Sequence, residues 1–265
     1  MALLPSMQAI LDAAVPVLSA DPRFRALLLA GSAVTGGMDE WSDLDTIVVV
    51  DDDAWESVWG EHFAVVARFG SLLTAFRADH FNEPRLLICL YDGPLLHVDV
   101  KFVAARDLLP LRTPAEVYWS REPLVLVTEP SRASAFDVQW CADRLPGWVH
   151  YAGIKLGRGE HFEVLSTLDF LRTRVLGPLI AIEAGQPPRS VRRLEALDSP
   201  RLAELARTAS VYDAASLAAA ARASFTLAFS LLDGHPEVVR HSVAEARARA
   251  FLDEVSLRRG GAENQ

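Results

Sequence analysis

The segment 28–50 constrains the fold more than any other part of the chain. An apolar run ends in Gly31-Ser32, a glycine-rich stretch follows, and Asp43 and Asp45 open a second apolar run that is rich in valine. Short apolar runs bounded by glycine and aspartate are typical of buried strands joined by a turn. The segment therefore predicts a strand, a glycine-rich connection and a second strand that begins with two carboxylates.

The two carboxylates have a spacing with chemical consequences. Asp43 and Asp45 are two residues apart, so on a strand both side chains point to one face while Leu44 points to the other. Two carboxylates on one face repel each other unless a cation lies between them. Oxygen-rich sites of this kind suit Mg²⁺, which proteins hold through one or two carboxylates together with substrate phosphates. Gly31 lets the backbone approach a phosphate closely, and Ser32 adds a hydroxyl and an N–H.

A third carboxylate lies on a later strand-like run. There His97, Asp99 and Lys101 share one face, while the intervening positions are valine and phenylalanine. An aspartate among β-branched residues in mid-strand is poorly explained by strand propensity and needs a partner. A metal ion shared with Asp43 and Asp45 would supply one.

This ordered set of residues resembles the nucleotidyltransferase superfamily that includes DNA polymerase beta. The shared pattern is Gly-Ser, a spacer of ten residues, Asp-x-Asp at a strand start, and a later Asp on an apolar strand. Within the superfamily the chain looks like the aminoglycoside and lincosamide nucleotidyltransferases. The resemblance implies Mg²⁺, expected as two ions, and a nucleoside triphosphate, expected to be ATP. It also implies that Asp43, Asp45 and Asp99 are catalytic metal ligands and that Gly31 and Ser32 bind phosphate.

The resemblance extends into the second half of the chain. Residues 148–160 and 168–174 are similar to the helix pair that follows the catalytic domain in the antibiotic-modifying branch. There Lys155 and Arg158 are implied to face the nucleotide phosphates. The composition agrees, because the only lysines among 26 basic residues are Lys101 and Lys155. In a chain whose other basic residues are all arginines, a lysine suits the role of a compact phosphate-binding charge. The alternative is that these two lysines are present by chance.

Periodicity predicts two domains with different textures. The boundary between them falls near residues 129–130. The resemblance implies that residues 1–129 are the nucleotidyltransferase catalytic domain and that residues 130–265 are a C-terminal helical domain contributing to nucleotide and acceptor binding. The fold class is thus an α/β (α+β) domain with a mixed β-sheet, followed by an all-α helical bundle. The predicted strands are Arg25–Ala30, Leu44–Val50, Phe63–Arg68, Leu86–Tyr91, Leu95–Val103 and Leu124–Thr128. The predicted helices are an amphipathic first helix, Asp53–Gly60, Ala104–Leu109, Ser131–Gly153, Glu160–Ala184, Pro200–Thr208, Asp213–Leu232 and Pro236–Leu257.

Charge narrows the classes of partner. The net charge is −9, and residues 1–128 contain 18 acidic and 9 basic side chains while the remainder is balanced. This argues against general nucleic-acid binding. It suits a site that holds divalent cations or attracts a polycationic substrate, and it equally suits solvated acidic loops. No uninterrupted apolar run is long enough to span a membrane, and the N-terminus lacks the pattern of a secretory signal. Cys89 in an apolar run predicts a buried free thiol, so we expect a cytoplasmic, reduced location. We expect the protein to be a monomer or a homodimer.

Three hypotheses about function stay open from sequence. The first is transfer of a nucleoside monophosphate to a hydroxyl of a small molecule of the aminoglycoside or lincosamide type. The second is a protein-modifying nucleotidyltransferase that resembles adenylylating antitoxins, although those are usually far shorter. The third is a non-catalytic nucleotide-binding module. His97 and Glu83 are candidates for proton transfer, and for each a purely structural role is the alternative.

Overall fold

The computed structural model describes residues 3–129 and 136–262, with the backbone alone for residues 259–262. The chain divides into two compact units, Met1–Arg132 and Ala133–Gln265, here called the sheet unit and the helical unit. The predicted domain boundary at Glu129–Pro130 lies at the edge of residues 130–135, which are outside the described residues. The predicted helix start at Ser131 lies among those residues. The mixed sheet and the following all-helical region that the sequence predicts are both confirmed.

The sheet unit is built on six strands in the order β3-β4-β5-β2-β1-β6. The strands are β1 Phe24–Leu29, β2 Leu44–Val50, β3 Leu72–Ala78, β4 Glu83–Tyr91, β5 Leu96–Ala104 and β6 Glu116–Ser120. The helices are α1 Pro5–Ser19, the single turn α2 Ser32–Thr35, and α3 Trp55–Val66. Only β2 and β5 pair in parallel, and all other neighbours are antiparallel. The sheet is therefore mixed, and its one parallel pair is central.

Alternation along β5 decides which face of the sheet is apolar. Val98, Val100 and Phe102 are fully buried, in the same core as residues of α1 and α3. The intervening side chains point to the opposite face, where a smaller core includes Val49 and Val103 toward the carboxyl ends of β2 and β5. At the amino ends of the same two strands this second face carries polar residues, and that is where the candidate site lies.

Three local predictions in the sheet unit are wrong, and two of its strands were not predicted. The apolar run Phe63–Arg68 is not a strand but largely the last turns of α3, and Leu124–Thr128 forms only a single bridge, between Leu111 and Thr128. The predicted helix Ala104–Leu109 is a short 3-10 turn. The strands β3 and β6 were not predicted, because both are edge strands with mostly exposed or half-buried side chains and lack a buried apolar run.

Within residues 136–262, the helical unit packs six helices around one core. They are α4 Val138–Arg158, α5 His161–Leu171, α6 Gly177–Glu183, α7 Arg201–Ala206, α8 Ala214–Asp233 and α9 Ser242–Ala262. A π-helical turn, Arg172–Leu176, joins α5 to α6, so the predicted helix Glu160–Ala184 is nearly continuous. Asp137 and Asp213 cap α4 and α8 by accepting backbone N–H groups three residues on, which satisfies donors that a helix start leaves unpaired.

Helix α8 is long and apolar enough to cross a membrane by length and composition, although Arg222 interrupts its apolar sequence. Of its most apolar window, 61% is buried inside the protein. Phe225 and Phe229 on α8 are almost fully buried in the shared core of the unit. These contacts identify α8 as the core helix of the bundle.

Both cysteines are free and fully buried, as the sequence predicts for Cys89. Cys89 lies on β4 and Cys141 on α4. Burial raises the pKa of each thiol to about 12, because an apolar surrounding disfavours the charged thiolate. Neither thiol is therefore a nucleophile at neutral pH.

Candidate active site

The parallel pairing of β2 and β5 brings two predicted site residues together. The register places Asp45 directly opposite Asp99, and both side chains point to the face away from α1 and α3. Thr46 adds a side-chain bond across the same pair, since its hydroxyl donates to the Asp99 carbonyl at 2.9 Å. The two carboxylates are thus placed by backbone pairing between strands that lie more than fifty residues apart in sequence.

A cluster of possible metal ligands lies at the amino ends of these strands. One ligand atom from each of Asp43, His97 and Asp99 falls within 4.8 Å of the others. The Nε2 atom of His97 lies 2.8 Å from Oδ1 of Asp99. Burial raises the pKa of Asp99, the charge of Asp43 raises it further, and the hydrogen bond to His97 opposes both effects. The carboxylates of Asp43 and Asp99 therefore repel each other, and a bound cation would relieve that repulsion.

A tight turn delivers Asp43 to this cluster. The backbone N–H of Asp39 donates to Oγ of Ser42 at 2.9 Å, and the Ser42 hydroxyl donates back to Oδ1 of Asp39 at 3.0 Å. The N–H of Trp41 donates to the same Oδ1 atom, also at 3.0 Å. These bonds close the loop just before β2 and leave the Trp41 side chain 86% exposed. Asp43 is thus held by a turn whose own polar groups are satisfied.

The structure explains why position 31 is a glycine, which the sequence alone did not reveal. Its backbone has φ +60° and ψ −139°, a conformation that side-chain-bearing residues rarely adopt. A Cβ atom at this position would lie only 1.7 Å from Oδ2 of Asp45. The N–H of Ala30 donates to the Asp45 carbonyl at 3.0 Å, which fixes the two segments against each other. Gly31 is thus the residue that makes room for the Asp45 carboxylate.

Ser32 follows Gly31 and carries an unsatisfied polar atom. Its Oγ atom is buried and has no hydrogen-bond partner within the described part of the chain. Buried hydroxyls without a partner are uncommon in folded proteins, and each one calls for a partner supplied from outside the protein. An incoming phosphate oxygen or a water molecule would satisfy it.

The three predicted carboxylates do not play identical geometric parts. The Asp45 carboxylate lies against Gly31, and the group of close ligand atoms consists of Asp43, His97 and Asp99. His97, which the sequence left open as a structural or functional residue, therefore lies inside the cluster. The signal for it was present in the two-residue spacing from Asp99.

Lys101 and Glu83 form an ion pair on the same face of the sheet. The Lys101 ammonium donates to Oε2 of Glu83 at 2.6 Å, and Nε of Arg85 lies 3.5 Å from the other carboxylate oxygen. Burial raises the pKa of Glu83, but Lys101 and Arg85 lower it by more. A carboxylate with a lowered pKa is a weaker base, which favours the structural alternative for Glu83.

In the helical unit, Lys155 and Arg158 converge on one carboxylate. Glu160 accepts a hydrogen bond from Lys155 Nζ at 2.5 Å, and Nη1 of Arg158 lies 3.6 Å from its other oxygen. The pairing raises the pKa of Lys155 and lowers that of Glu160. Gly159 ends α4 with φ +72°, which turns the chain so that Glu160 faces back toward the last helical turn. Sequence reasoning missed Glu160, although a glutamate immediately after a C-cap glycine was a usable signal.

The aromatic residues near this turn have different surroundings. Tyr151 is 42% exposed, donates its hydroxyl to Oε2 of Glu163 at 2.8 Å, and lies 5.2 Å from the Lys155 ammonium, which sits over its ring. Trp148 packs edge-to-face on Phe170 at the margin of the core. Only Tyr151 therefore borders the candidate phosphate-binding group.

Comparison with known proteins gave matches among solved structures only. No protein-family model and no curated protein matches the chain. An aminoglycoside 6-adenyltransferase from Bacillus subtilis is 17% identical, with a TM-score of 0.38, over 95% of this chain and 99% of its own. A nucleotidyltransferase-like protein from Exiguobacterium sibiricum is 12% identical, with a TM-score of 0.36, over 94% of this chain and 89% of its own.

A spectinomycin adenyltransferase from Enterococcus faecialis, solved with ATP and spectinomycin, is 9% identical, with a TM-score of 0.32, over 95% of this chain and 97% of its own. Because these TM-scores lie below 0.5, the function proposed below rests on the residues of the site.

Proposed function

We propose that the chain is a nucleotidyltransferase that transfers a nucleoside monophosphate from a nucleoside triphosphate to a hydroxyl of a small molecule. The observation that carries the proposal is the carboxylate arrangement on the parallel pair β2 and β5. Asp45 and Asp99 are opposed in register, and Asp43 and Asp99 lie in one cluster of ligand atoms. Gly31 makes room for Asp45 beside the buried, unpaired hydroxyl of Ser32.

The residues present fit a divalent cation of the Mg²⁺ type. Asp43 and Asp99 offer carboxylate oxygens at short mutual distance, and burial, together with a smaller contribution from the charge of Asp43, raises the pKa of Asp99. Hard cations such as Mg²⁺ prefer such oxygen ligands and keep further positions for water and substrate phosphate. We propose Asp43, Asp45 and Asp99 as the holding residues. When bound, the cation supplies charge neutralisation at the phosphates and alignment of the reacting groups.

We propose two groups of residues, one in each unit, as ligands of the phosphates of the nucleoside triphosphate. In the sheet unit, the backbone N–H groups of Gly31 and Ser32 are proposed to bind phosphate oxygens. They lie beside the buried Ser32 hydroxyl, which has no partner among the described residues. In the helical unit, Lys155 and Arg158 are proposed to bind the departing pyrophosphate. Each has donors left beyond the contact with Glu160, because an ammonium has three N–H groups and a guanidinium has five.

The proposed reaction is a direct transfer from the nucleoside triphosphate to the acceptor. The acceptor hydroxyl attacks the α-phosphorus, a new P–O bond forms, the bond to the β-phosphate breaks, and pyrophosphate leaves. Asp99 would either hold the cation or accept the proton of the acceptor hydroxyl. Its raised pKa makes it a stronger base than an exposed aspartate. Catalysis of this kind depends mostly on positioning and electrostatics, so no covalent intermediate with the protein is needed.

The acceptor is proposed from charge. The excess of acidic residues lies within residues 1–128, which suits a polycationic hydroxylated compound of the aminoglycoside type. A neutral lincosamide-type compound would use the same chemistry without this attraction. ATP is the proposed donor. We also propose that the protein acts in the cytoplasm, where its two free thiols stay reduced, as a monomer or homodimer.

Pyrophosphate release tests the proposal. The purified protein is assayed with Mg²⁺, each of the four nucleoside triphosphates and a panel of aminoglycosides, lincosamides and a protein acceptor. We expect release that depends on one donor and on a small hydroxylated acceptor, with the acceptor gaining the mass of one nucleoside monophosphate. Asp45→Ala should abolish release in a folded protein.

Asp53→Ala is the matched control, because Asp53 is an exposed carboxylate beyond the other end of β2. It should keep wild-type activity. Activity retained by a well-folded Asp45→Ala protein, or label transferred to protein acceptors alone, would contradict the proposed function.

A further inference from the structure

The contact between His97 and Asp99 ties two side chains of one strand face together. The two residues are two apart on β5 and point to the same side of the sheet. Nε2 of His97 lies 2.8 Å from Oδ1 of Asp99, while the side chains are 41% and 20% exposed. Asp99 is therefore the more enclosed partner.

An aspartate carboxylate has two oxygens and rotates freely unless a donor fixes one of them. Among the residues whose side chains the structure describes, His97 is the one whose side chain hydrogen-bonds the Asp99 carboxylate. An N–H that donates to Oδ1 sets the plane of the carboxylate and leaves Oδ2 for another partner. Groups that orient metal ligands in this way are as much a part of metal sites as the ligands themselves.

We infer that His97 is a positioning residue that orients Asp99 toward the bound divalent cation by donating from Nε2 to Oδ1. The inference rests on the proposed function, since it takes Asp99 as a ligand of the cation. It assigns the proton of neutral His97 to Nε2. The imidazole acts through Asp99 and does not itself contact the ion.

Three substitutions separate this role from the alternatives. His97→Gln places an amide N–H at nearly the distance from the backbone that Nε2 has, so the bond to Asp99 is retained. His97→Asn carries the same amide on a shorter side chain that falls short of Oδ1. His97→Ala removes the donor altogether. His80→Ala is the matched control, since His80 also neighbours an aspartate, Asp79, at 3.8 Å, and is 51% exposed outside the site.

The primary measurement is Mn²⁺ affinity, followed by electron paramagnetic resonance of the free ion in a titration of the full chain. Loss of an orienting partner typically weakens metal affinity about 10–100-fold. We expect such a loss in His97→Ala and His97→Asn, and near wild-type affinity in His97→Gln and His80→Ala. Thermal unfolding without metal checks that all five proteins are folded, so that a lower affinity reflects the site and not loss of the fold.

A kinetic measurement complements the titration. At saturating metal, His97→Ala should lower kcat and leave the KM for the nucleoside triphosphate near the wild-type value, since the substituted group touches no phosphate. Equal Mn²⁺ affinity in His97→Ala and the wild type would overturn the inference. An Mn²⁺ affinity of His97→Gln as low as that of His97→Ala would also overturn it, because it would identify the ring as a direct ligand. A wild-type protein that binds no Mn²⁺ would overturn it as well. Wild-type protein that binds Mn²⁺ but releases no pyrophosphate would contradict the proposed function alone.

Discussion

Gly31→Ala is the substitution that most directly probes how the site is built. The added Cβ would lie 1.7 Å from Oδ2 and 2.6 Å from Cγ of Asp45, whereas ordinary contact begins at 3.4 Å. The carboxylate must therefore retreat, or the turn must open. Displacements of about 1 Å in a catalytic group cost on the order of 100-fold in rate. We expect Gly31→Ala to lower kcat/KM for nucleotidyl transfer by about 100-fold or more.

The backbone contributes a separate cost. At φ +60° and ψ −139°, an alanine is strained by about 1–3 kcal/mol, which should appear as a lower free energy of unfolding in urea. Gly36→Ala is the control for this strain, because Gly36 has φ +78° and an added Cβ there meets nothing within 4 Å. It should lose about 1–2 kcal/mol of stability and keep its activity.

Asp45→Ala makes the test specific to the clash. With the carboxylate removed, Gly31→Ala should cost less stability than it does in the wild type, so the two effects should not add. Urea unfolding is measured for the four proteins in the cycle, and pyrophosphate release for the wild type, Gly31→Ala and Gly36→Ala. A folded Gly31→Ala protein as active as Gly36→Ala, or strictly additive losses in the cycle, would refute this account of Gly31.

The remaining predictions concern the helical unit, a buried histidine and the thiols. Lys155→Gln should weaken binding of the nucleoside triphosphate about 10–100-fold, the effect of one lost charge-assisted bond, and leave AMP binding unchanged; calorimetric titration with both nucleotides checks this, and equal losses for the two would contradict the phosphate assignment. Burial lowers the pKa of His62, so the unfolded chain binds more protons below the ordinary value near 6.5. The stability that His62 contributes is therefore present above about pH 6.5 and lost as the pH falls toward the folded-state pKa, and the loss between pH 7.5 and 5.5 should be smaller in His62→Gln but unchanged in His80→Gln. Cys89 and Cys141 should stay unmodified by iodoacetamide at pH 8 in the native protein and react on unfolding, as mass spectrometry would show; rapid native modification would contradict their burial.

The sequence was sufficient for the chemistry-bearing strands and insufficient for their neighbours. The strands β2 and β5 were predictable because apolar residues alternate with polar ones, or run unbroken, over seven to nine positions. The run at 63–68 misled, because its paired valines suit a strand, but Val58, His62 and Val65 lie at helical spacing and pack on the sheet. Local propensity yielded there to a tertiary contact that no single-sequence pattern shows.

The geometry of the site was the least predictable part. Sequence placed Asp43, Asp45 and Asp99 on strand faces, but it could not show that β2 and β5 pair in parallel with Asp45 opposite Asp99. That alignment is set by the whole order of the sheet, which depends on contacts between distant segments. The space beside Gly31 was equally hidden, because it exists only once both strands are in place.

The parallel register of β2 and β5 has a consequence for how the chain avoids misfolding. Side chains alternate between faces, so a slip of β5 by one residue would turn Asp99 and Lys101 toward the apolar side covered by α1 and α3. Burying an unpaired carboxylate and ammonium there would cost several kcal/mol. Asp99 and Lys101 therefore penalise the incorrect alignment, in which neither would keep its present partner. Asp99, proposed as a metal ligand, therefore also disfavours the shifted register of β5. Neutralising Asp99 should make strand slippage easier as well as remove a ligand.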